Sequence, residues 1–315
     1  MAQDAVRLGE PADGVAAREV GPSPSRPQSD IWRAMVWMGL SLVCFVAVTI
    51  AAREAGRTMS AIHTMFYRSL ISLIILLIGL RIAGISLARL GTQQPGMQFA
   101  RALAHFFGQW SWMQALLLIP LVELFALEFT APLWVAVLAP VLLGERLTSI
   151  RMLAAVLGFA GALVVIGPTA SSMNIGSLLA LFCAPMFALN MIGTKFLLRQ
   201  DQPLTILLFM TANHTVLCFL ISGHDMPLPD AVTAVWLLVI GAASLAAHFA
   251  LARGMAYADA MVVAPMDFMR LPLIALVGIA LYHEPLRPIV LLGTMLVLGG
   301  NFINLWGERF WRFRR

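Results

Sequence analysis

Apolar residues fall along this chain in ten long runs separated by short polar breaks: 31–52, 62–82, 97–118, 122–143, 147–166, 175–198, 204–221, 231–252, 256–282 and 286–306. A helix that crosses a bilayer needs about 20 predominantly apolar residues, and the runs match that length. They do not alternate apolar and polar over short segments, which excludes a β-barrel. Helices close their own backbone hydrogen bonds, as lipid requires. The pattern therefore predicts an all-α integral membrane protein with ten transmembrane helices, joined by short links such as Pro120, 144–146 and 283–285.

One pattern is written twice. EFTAPLWVAVLAPVLLGERL, from Glu128, and DFMRLPLIALVGIALYHEPL, from Asp267, are each an apolar run that ends in a carboxylate and leads into another apolar run. At a shift of 139 residues, the separation of Glu145 and Glu284, Phe129 meets Phe268, Glu128 meets Asp267 and Gly161 meets Gly300. Leu and Ala matches mean little in such runs, so the acidic and Gly pairs carry the inference. The spacing divides the chain into a first repeat of helices 1–5 over residues 31–166 and a second of helices 6–10 over 167–306. A polar tail, 1–30, is expected to be disordered and has no apolar core for a signal peptide; a basic tail, 307–315, follows. Five spans per repeat is odd, so the second repeat enters the membrane upside down. Inverted repeats are a feature of secondary transporters, which open a central site first to one side and then to the other.

Composition agrees with a membrane protein. The chain is 60% hydrophobic and 12% charged over 315 residues, with a mean hydropathy of +0.85; soluble domains average about 25% charged residues. Cys44, Cys183 and Cys218 sit inside apolar runs and read as small apolar residues. With the N-terminus in the cytoplasm, sixteen of the 21 basic residues fall on the inside, Arg101 among them. Three, Arg53, Arg57 and Arg287, fall outside, and Arg68 and Arg270 lie within helices. The positive-inside rule then puts both termini in the cytoplasm.

Charge inside a span is costly and faces a cavity or a partner. The residues concerned are Arg68, His105, Glu123, Glu128, His214, His248, Asp267 and Arg270. Glu128 and Asp267 occupy matching repeat positions, as proton- or cation-carrying carboxylates or as structural partners of Arg270 or Arg68; Asp267 and Arg270 are spaced to meet on one helix face. Glu123 is either a coupling group or a first-turn acid of helix 4. Gln109 meets His248 at the same shift, and Trp110 and Trp112 offer surfaces for a planar ligand or interface anchors. Asn190 and Asn213 are explained by interhelical hydrogen bonds. Glu145 and Glu284 mark the repeat, each placed to meet free N–H groups at the start of the next helix.

No phosphate-binding loop occurs, so ATP is not the direct energy source. There is no spaced Cys/His set for a metal and no nucleophile elbow, and no cofactor is implied. The basic tail suits an anionic lipid surface rather than nucleic acid. The remaining classes are a carrier for a small-molecule substrate and, as alternative, an intramembrane lipid-modifying enzyme or lipid-carrier flippase.

GERL after helix 4 and its twin HEPL after helix 9, FYRSL at 66–70 and LARGMAYADAMVVAP at 251–265 resemble the motifs of the drug/metabolite transporter superfamily, EamA type. The resemblance covers roughly residues 31–306 and is nearest to alphaproteobacterial carriers, including the S-adenosylmethionine uptake type. APMDFMRLP, with an acid and a base in helix 9, departs from that type. The resemblance implies ten helices, a bacterial inner membrane and carriage of amino acids, purines, vitamins such as riboflavin, S-adenosylmethionine or drugs.

Overall fold

The computed structural model describes residues 31–143, 148–166, 174–223, 225–257 and 266–312. The whole of the tail 1–30, residues 313–315, Glu145 and the link 258–265 lie outside the described residues. The helices are α1 (Ile31–Ala55), α2 (Ala61–Ile82), α3 (Pro95–Leu118), α4 (Leu121–Glu128), α5 (Ala131–Leu143), α6 (Ser149–Ile166), α7 (Ile175–Leu197), α8 (Pro203–Ser222), α9 (Ala231–Tyr257), α10 (Arg270–Tyr282) and α11 (Pro288–Arg312). Among the described residues there is no strand. Seven spans are long and apolar enough to cross a membrane: α1, α2, α4 with α5, α6, α7, α8 and α9. In α3, Arg101, His105 and several Gln residues dilute an otherwise sufficient length. α10 is the described part of the ninth span, and α11 is apolar over Pro288–Asn304. The fold is ten transmembrane helices in two inverted five-helix repeats.

Local sequence explains where helices begin. Ser60 accepts a hydrogen bond from the His63 N–H at the start of α2. Asn174 takes the Ser177 N–H at 2.9 Å at the start of α7. Pro95 and Pro203 stand at first helical positions, where a missing N–H costs nothing. Asp230 accepts from the Val232 and Thr233 N–H groups, both at 2.9 Å, ahead of α9. The Thr233 backbone N–H, then its hydroxyl, holds the Asp230 carboxyl below its usual range.

The fourth and ninth runs are expected to be single helices; each is interrupted. Residues 129 and 130 form a turn between α4 and α5, and Met269 forms a turn before α10. Thr130 and Met269 are one repeat shift apart. A proline follows each interruption: Pro132 and Pro272 have no N–H to give to the carbonyls four residues back, those of Glu128 and Phe268. Side-chain donors serve two carbonyls beside the first break. The Asn301 amide donates to the Phe129 carbonyl at 2.6 Å, and the Thr130 hydroxyl to the Leu127 carbonyl at 2.7 Å.

Packing follows the repeat. α1 lies against α9 and α3 against α7, and these two pairs exchange under the repeat. α2 packs on α8, α4 on α10 and α6 on α11, each with its own repeat mate. Small residues draw the last pair together, as in lipid generally. A Cβ on Gly161 would stand 2.6 Å from the Gly293 carbonyl oxygen, and one on Gly300 2.6 Å from that of Ala154. The matched Gly pair is thus a crossing of two backbones.

Where α10 ends, His283 adopts a left-handed conformation, φ 54°. The turn sends Glu284 away from α11. Its carboxylate instead takes the Leu121 N–H at 2.8 Å, capping α4 in the other repeat, and pairs with Arg53. That corrects the expectation that Glu284 serves the helix that follows it. Arg53 lies over the Tyr282 ring at 4.3 Å, and the Tyr282 hydroxyl donates to Glu54 at 3.0 Å. Together these contacts clamp the α10–α11 link onto the ends of α1 and α4.

Candidate functional site

Helices α1, α2, α3, α4, α5, α7, α9 and α10 surround a cavity of about 250 Å³. Its floor is the turn where the fourth run breaks, so Glu128, Phe129, Ala131 and Pro132 all reach it. The matched break of the ninth run brings in Asp267 and Arg270. Interrupting both helices therefore places charge mid-membrane where an unbroken helix would present only one face.

Arg270 is the centre of the charged wall. Its Nη2 lies 3.3 Å from a Glu128 oxygen and 3.3 Å from an Asp267 oxygen. The guanidinium also stands over three phenyl rings, Phe45 at 4.8 Å, Phe129 at 5.2 Å and Phe125 at 5.4 Å. Those cation–π contacts hold it in a water-poor place. Trp112 completes the arrangement, its indole N–H donating to the second Glu128 oxygen at 2.7 Å. Of the two partners weighed for the carboxylates, the structure places Arg270 there and not Arg68.

Position within the helices sharpens the reading. Glu128 is the last residue of α4 and Arg270 the first of α10. A helix dipole disfavours an anion at its C-terminus and a cation at its N-terminus. Helix stability therefore does not explain either charge, and each opposes its own helix end. Glu123 is the opposite case. It lies in the first turn of α4, accepts from the Ser177 hydroxyl at 2.6 Å and pairs with Arg287 at 2.5 Å. It is absent from the cavity wall and belongs with the clamp that joins α4 to the α10–α11 link.

Arg68, His105, His248 and Gln109 also line the cavity. Arg68 Nε donates to the Ser244 hydroxyl at 3.2 Å. His248 Nδ1 lies 2.7 Å from the Ser244 carbonyl; a carbonyl only accepts, so the proton is on Nδ1. His214 does not line this cavity. Its Nε2 donates to the Ala102 carbonyl at 3.0 Å, and it faces a smaller hollow beside Arg68. Of the residues the sequence singles out, Glu128, Asp267, Arg270, Arg68, His105, Gln109, Trp112, Asn190 and His248 meet in one cavity. Glu123 and Glu284 lie in the clamp, and Glu145 falls outside the described residues. Trp110 packs in the apolar core. Among the described residues no group of three or more His, Cys, Asp or Glu side chains is arranged for a metal ion.

Other lining residues carry no polar signal in the sequence. Phe45, Val48 and Thr49 on α1 look like any lipid-facing turn, and Phe187 like any core residue. Asn190 lines the cavity while accepting from Arg101 at 2.7 Å. Arg101 itself is a correction. It is not an inner-loop residue but a buried one inside α3, 4% exposed, also donating to the Ile206 carbonyl at 3.2 Å. Its spacing of four from His105 was the available sign that it shares a buried helix face.

Comparison with known proteins agrees with the repeat and the fold. Residues 32–167 and 174–306 each match the EamA-like transporter family. A riboflavin transporter of Vibrio cholerae is 30% identical over 283 residues, covering 89% of this chain and 93% of its own. An S-adenosylmethionine uptake transporter of Rickettsia bellii is 24% identical, covering 87% and 93%. A crystal structure aligned at a TM-score of 0.60 and 18% identity covers 86% of this chain and 96% of its own, and shares its fold. With both halves of the sequence matched, the chain belongs to the EamA-like transporter family.

Proposed function

We propose that this protein is a secondary carrier that moves a small organic metabolite by alternating access, with Glu128 and Asp267 coupling movement to protons or to exchange. The observation that carries the reading is one guanidinium shared between two carboxylates from opposite repeats, at the wall of a mid-membrane cavity. A carboxylate that gains a proton gives up its hold on Arg270, and the two halves are then held together less tightly. Solute and proton would compete for the same carboxylates, which is the requirement for coupling.

The walls suit a compact solute with a ring. Phe45, Trp112, Phe129 and Phe187 supply aromatic faces, and the volume lies just under the range of about 300–1,000 Å³ usual for pockets holding drug-sized ligands. The substrates named for the relatives, riboflavin and S-adenosylmethionine, are the first to test. A carrier fits better than a lipid-modifying enzyme, because His248 meets Ser244 through its carbonyl and not its hydroxyl. That arrangement provides no activated nucleophile. With Arg101 withdrawn from the loops, the basic bias keeps its sign, so both termini are assigned to the cytoplasm. The clamp of Arg53, Glu284, Glu123 and Arg287 then closes the outer side, and the described state is the one shut to the outside.

Uptake of riboflavin and of S-adenosylmethionine into proteoliposomes, with and without an imposed proton gradient, tests the reading. Asp267→Asn and Glu128→Gln are expected to lower gradient-driven accumulation by about tenfold or more, the scale of losing a hydrogen bond to a charged group, while solute exchange survives in at least one of them. Undiminished accumulation against a gradient in both variants would remove the coupling role.

A further inference from the structure

Arg68 is 6% exposed and lies in the middle part of α2. Among the described residues its one hydrogen bond runs from Nε to the Ser244 hydroxyl, and its Nη1 is buried without a partner. Among the described residues no carboxylate lies within ion-pair reach of it. A buried guanidinium left so is costly, and long basic residues placed inside a membrane face an interior partner as a rule. His105, also in the cavity lining, has a buried Nδ1 that is likewise unpartnered. Elsewhere in the same lining the balance is reversed. Glu128 and Asp267 divide a single cation, Arg270, so that group holds one negative charge in excess. The cavity therefore has a positive pole at Arg68, which neither carboxylate pairs with, and a negative pole at Glu128 and Asp267.

We infer that the carried solute is a zwitterion, whose carboxylate completes the coordination of Arg68 and whose cationic group lies toward Glu128 and Asp267. The inference rests on the carrier reading above and narrows it to a substrate class. A guanidinium fork accepts a carboxylate through two parallel hydrogen bonds, and the free Nη1 supplies a donor for one of them. A solute lacking either charge leaves one pole unmatched, which gives selectivity as well as affinity. Arg68 as a mere tie between α2 and α9 would need only its Nε contact to Ser244.

The test uses the purified full-length protein and matched probes that differ by one charge: S-adenosylmethionine against its decarboxylated form, and phenylalanine against phenylalaninamide and 3-phenylpropionate. Affinity is read by ligand-induced thermal stabilisation. The native chain is expected to favour the zwitterion of at least one set by about tenfold over the member lacking the carboxylate. Arg68→Gln is expected to lower the affinity for the zwitterion far more than for its carboxylate-free counterpart and so to remove the preference; Arg68→Lys, which keeps a cation in place, retains part of it. No preference in the native chain for any set, or an Arg68→Gln loss equal for both members of a pair, overturns the inference. Proteoliposome uptake of riboflavin and S-adenosylmethionine, measured alongside, separates the two readings. Uptake without any carboxylate preference removes only the zwitterion. Failure to carry either solute counts against the carrier itself.

Discussion

Replacing Arg270 by Leu abolishes transport and lowers stability by about 3–5 kcal/mol, the usual result of removing one partner from a buried ion pair. Two carboxylates would be left facing each other in a water-poor cavity, with only the Trp112 indole to satisfy Glu128. Three phenyl rings would also lose the cation they surround. Arg270→Lys restores charge but not the planar fork, so one carboxylate remains poorly held. The triple change Arg270→Leu, Glu128→Gln and Asp267→Asn is expected to regain most of the stability and none of the transport. Thermal unfolding in detergent, read beside proteoliposome uptake, distinguishes the two consequences. Recovery of uptake in the triple variant would show that the charges only hold the helices together.

Gly161→Leu is expected to prevent accumulation of folded protein. The α6–α11 crossing leaves 2.6 Å between a Cβ at Gly161 and the Gly293 carbonyl oxygen, and a backbone atom cannot rotate aside as a side chain can. Ordinary overpacking costs about 1–3 kcal/mol; here the helix axes themselves must separate, and the loss should exceed that range. Gly300→Leu, the repeat counterpart, meets the Ala154 carbonyl at the same distance and should fail equally. Gly39→Leu, with open space around its Cβ, is the control that should fold. Fluorescence-detected size exclusion of the three variants gives the answer directly.

Much of this architecture was legible in the sequence, because lipid permits few solutions. Run length gives the spans, and an odd number per repeat gives the inversion. The matched acids pointed to the cavity because charge in lipid has no neutral reason to recur at a fixed shift. The helix breaks were harder to read. Pro132 and Pro272 were visible, but proline is tolerated in spanning helices, and only the partners of the freed carbonyls decide where a break forms. Glu284 was read one helix away from its partner, since a left-handed His283 is not signalled by any glycine there. Arg101 was assigned to a loop because it lies near the start of its run, whereas α3 begins at Pro95. The aromatic walls from α1 and α7 were hidden for a simpler reason. Which phenylalanine faces a cavity and which faces acyl chains depends on packing that composition does not record.

Alternating access requires that the charged chamber between the inverted halves opens to one side at a time. Gln109→Cys, in a chain with Cys44, Cys183 and Cys218 replaced by Ala, places a single thiol in its wall. A membrane-impermeant maleimide added to oriented vesicles should label it from the cytoplasmic side, and from the outer side only when Glu284→Ala releases the clamp on Arg53 and Leu121. Protection from both sides in both chains, or equal labelling from both sides irrespective of Glu284, would contradict the account.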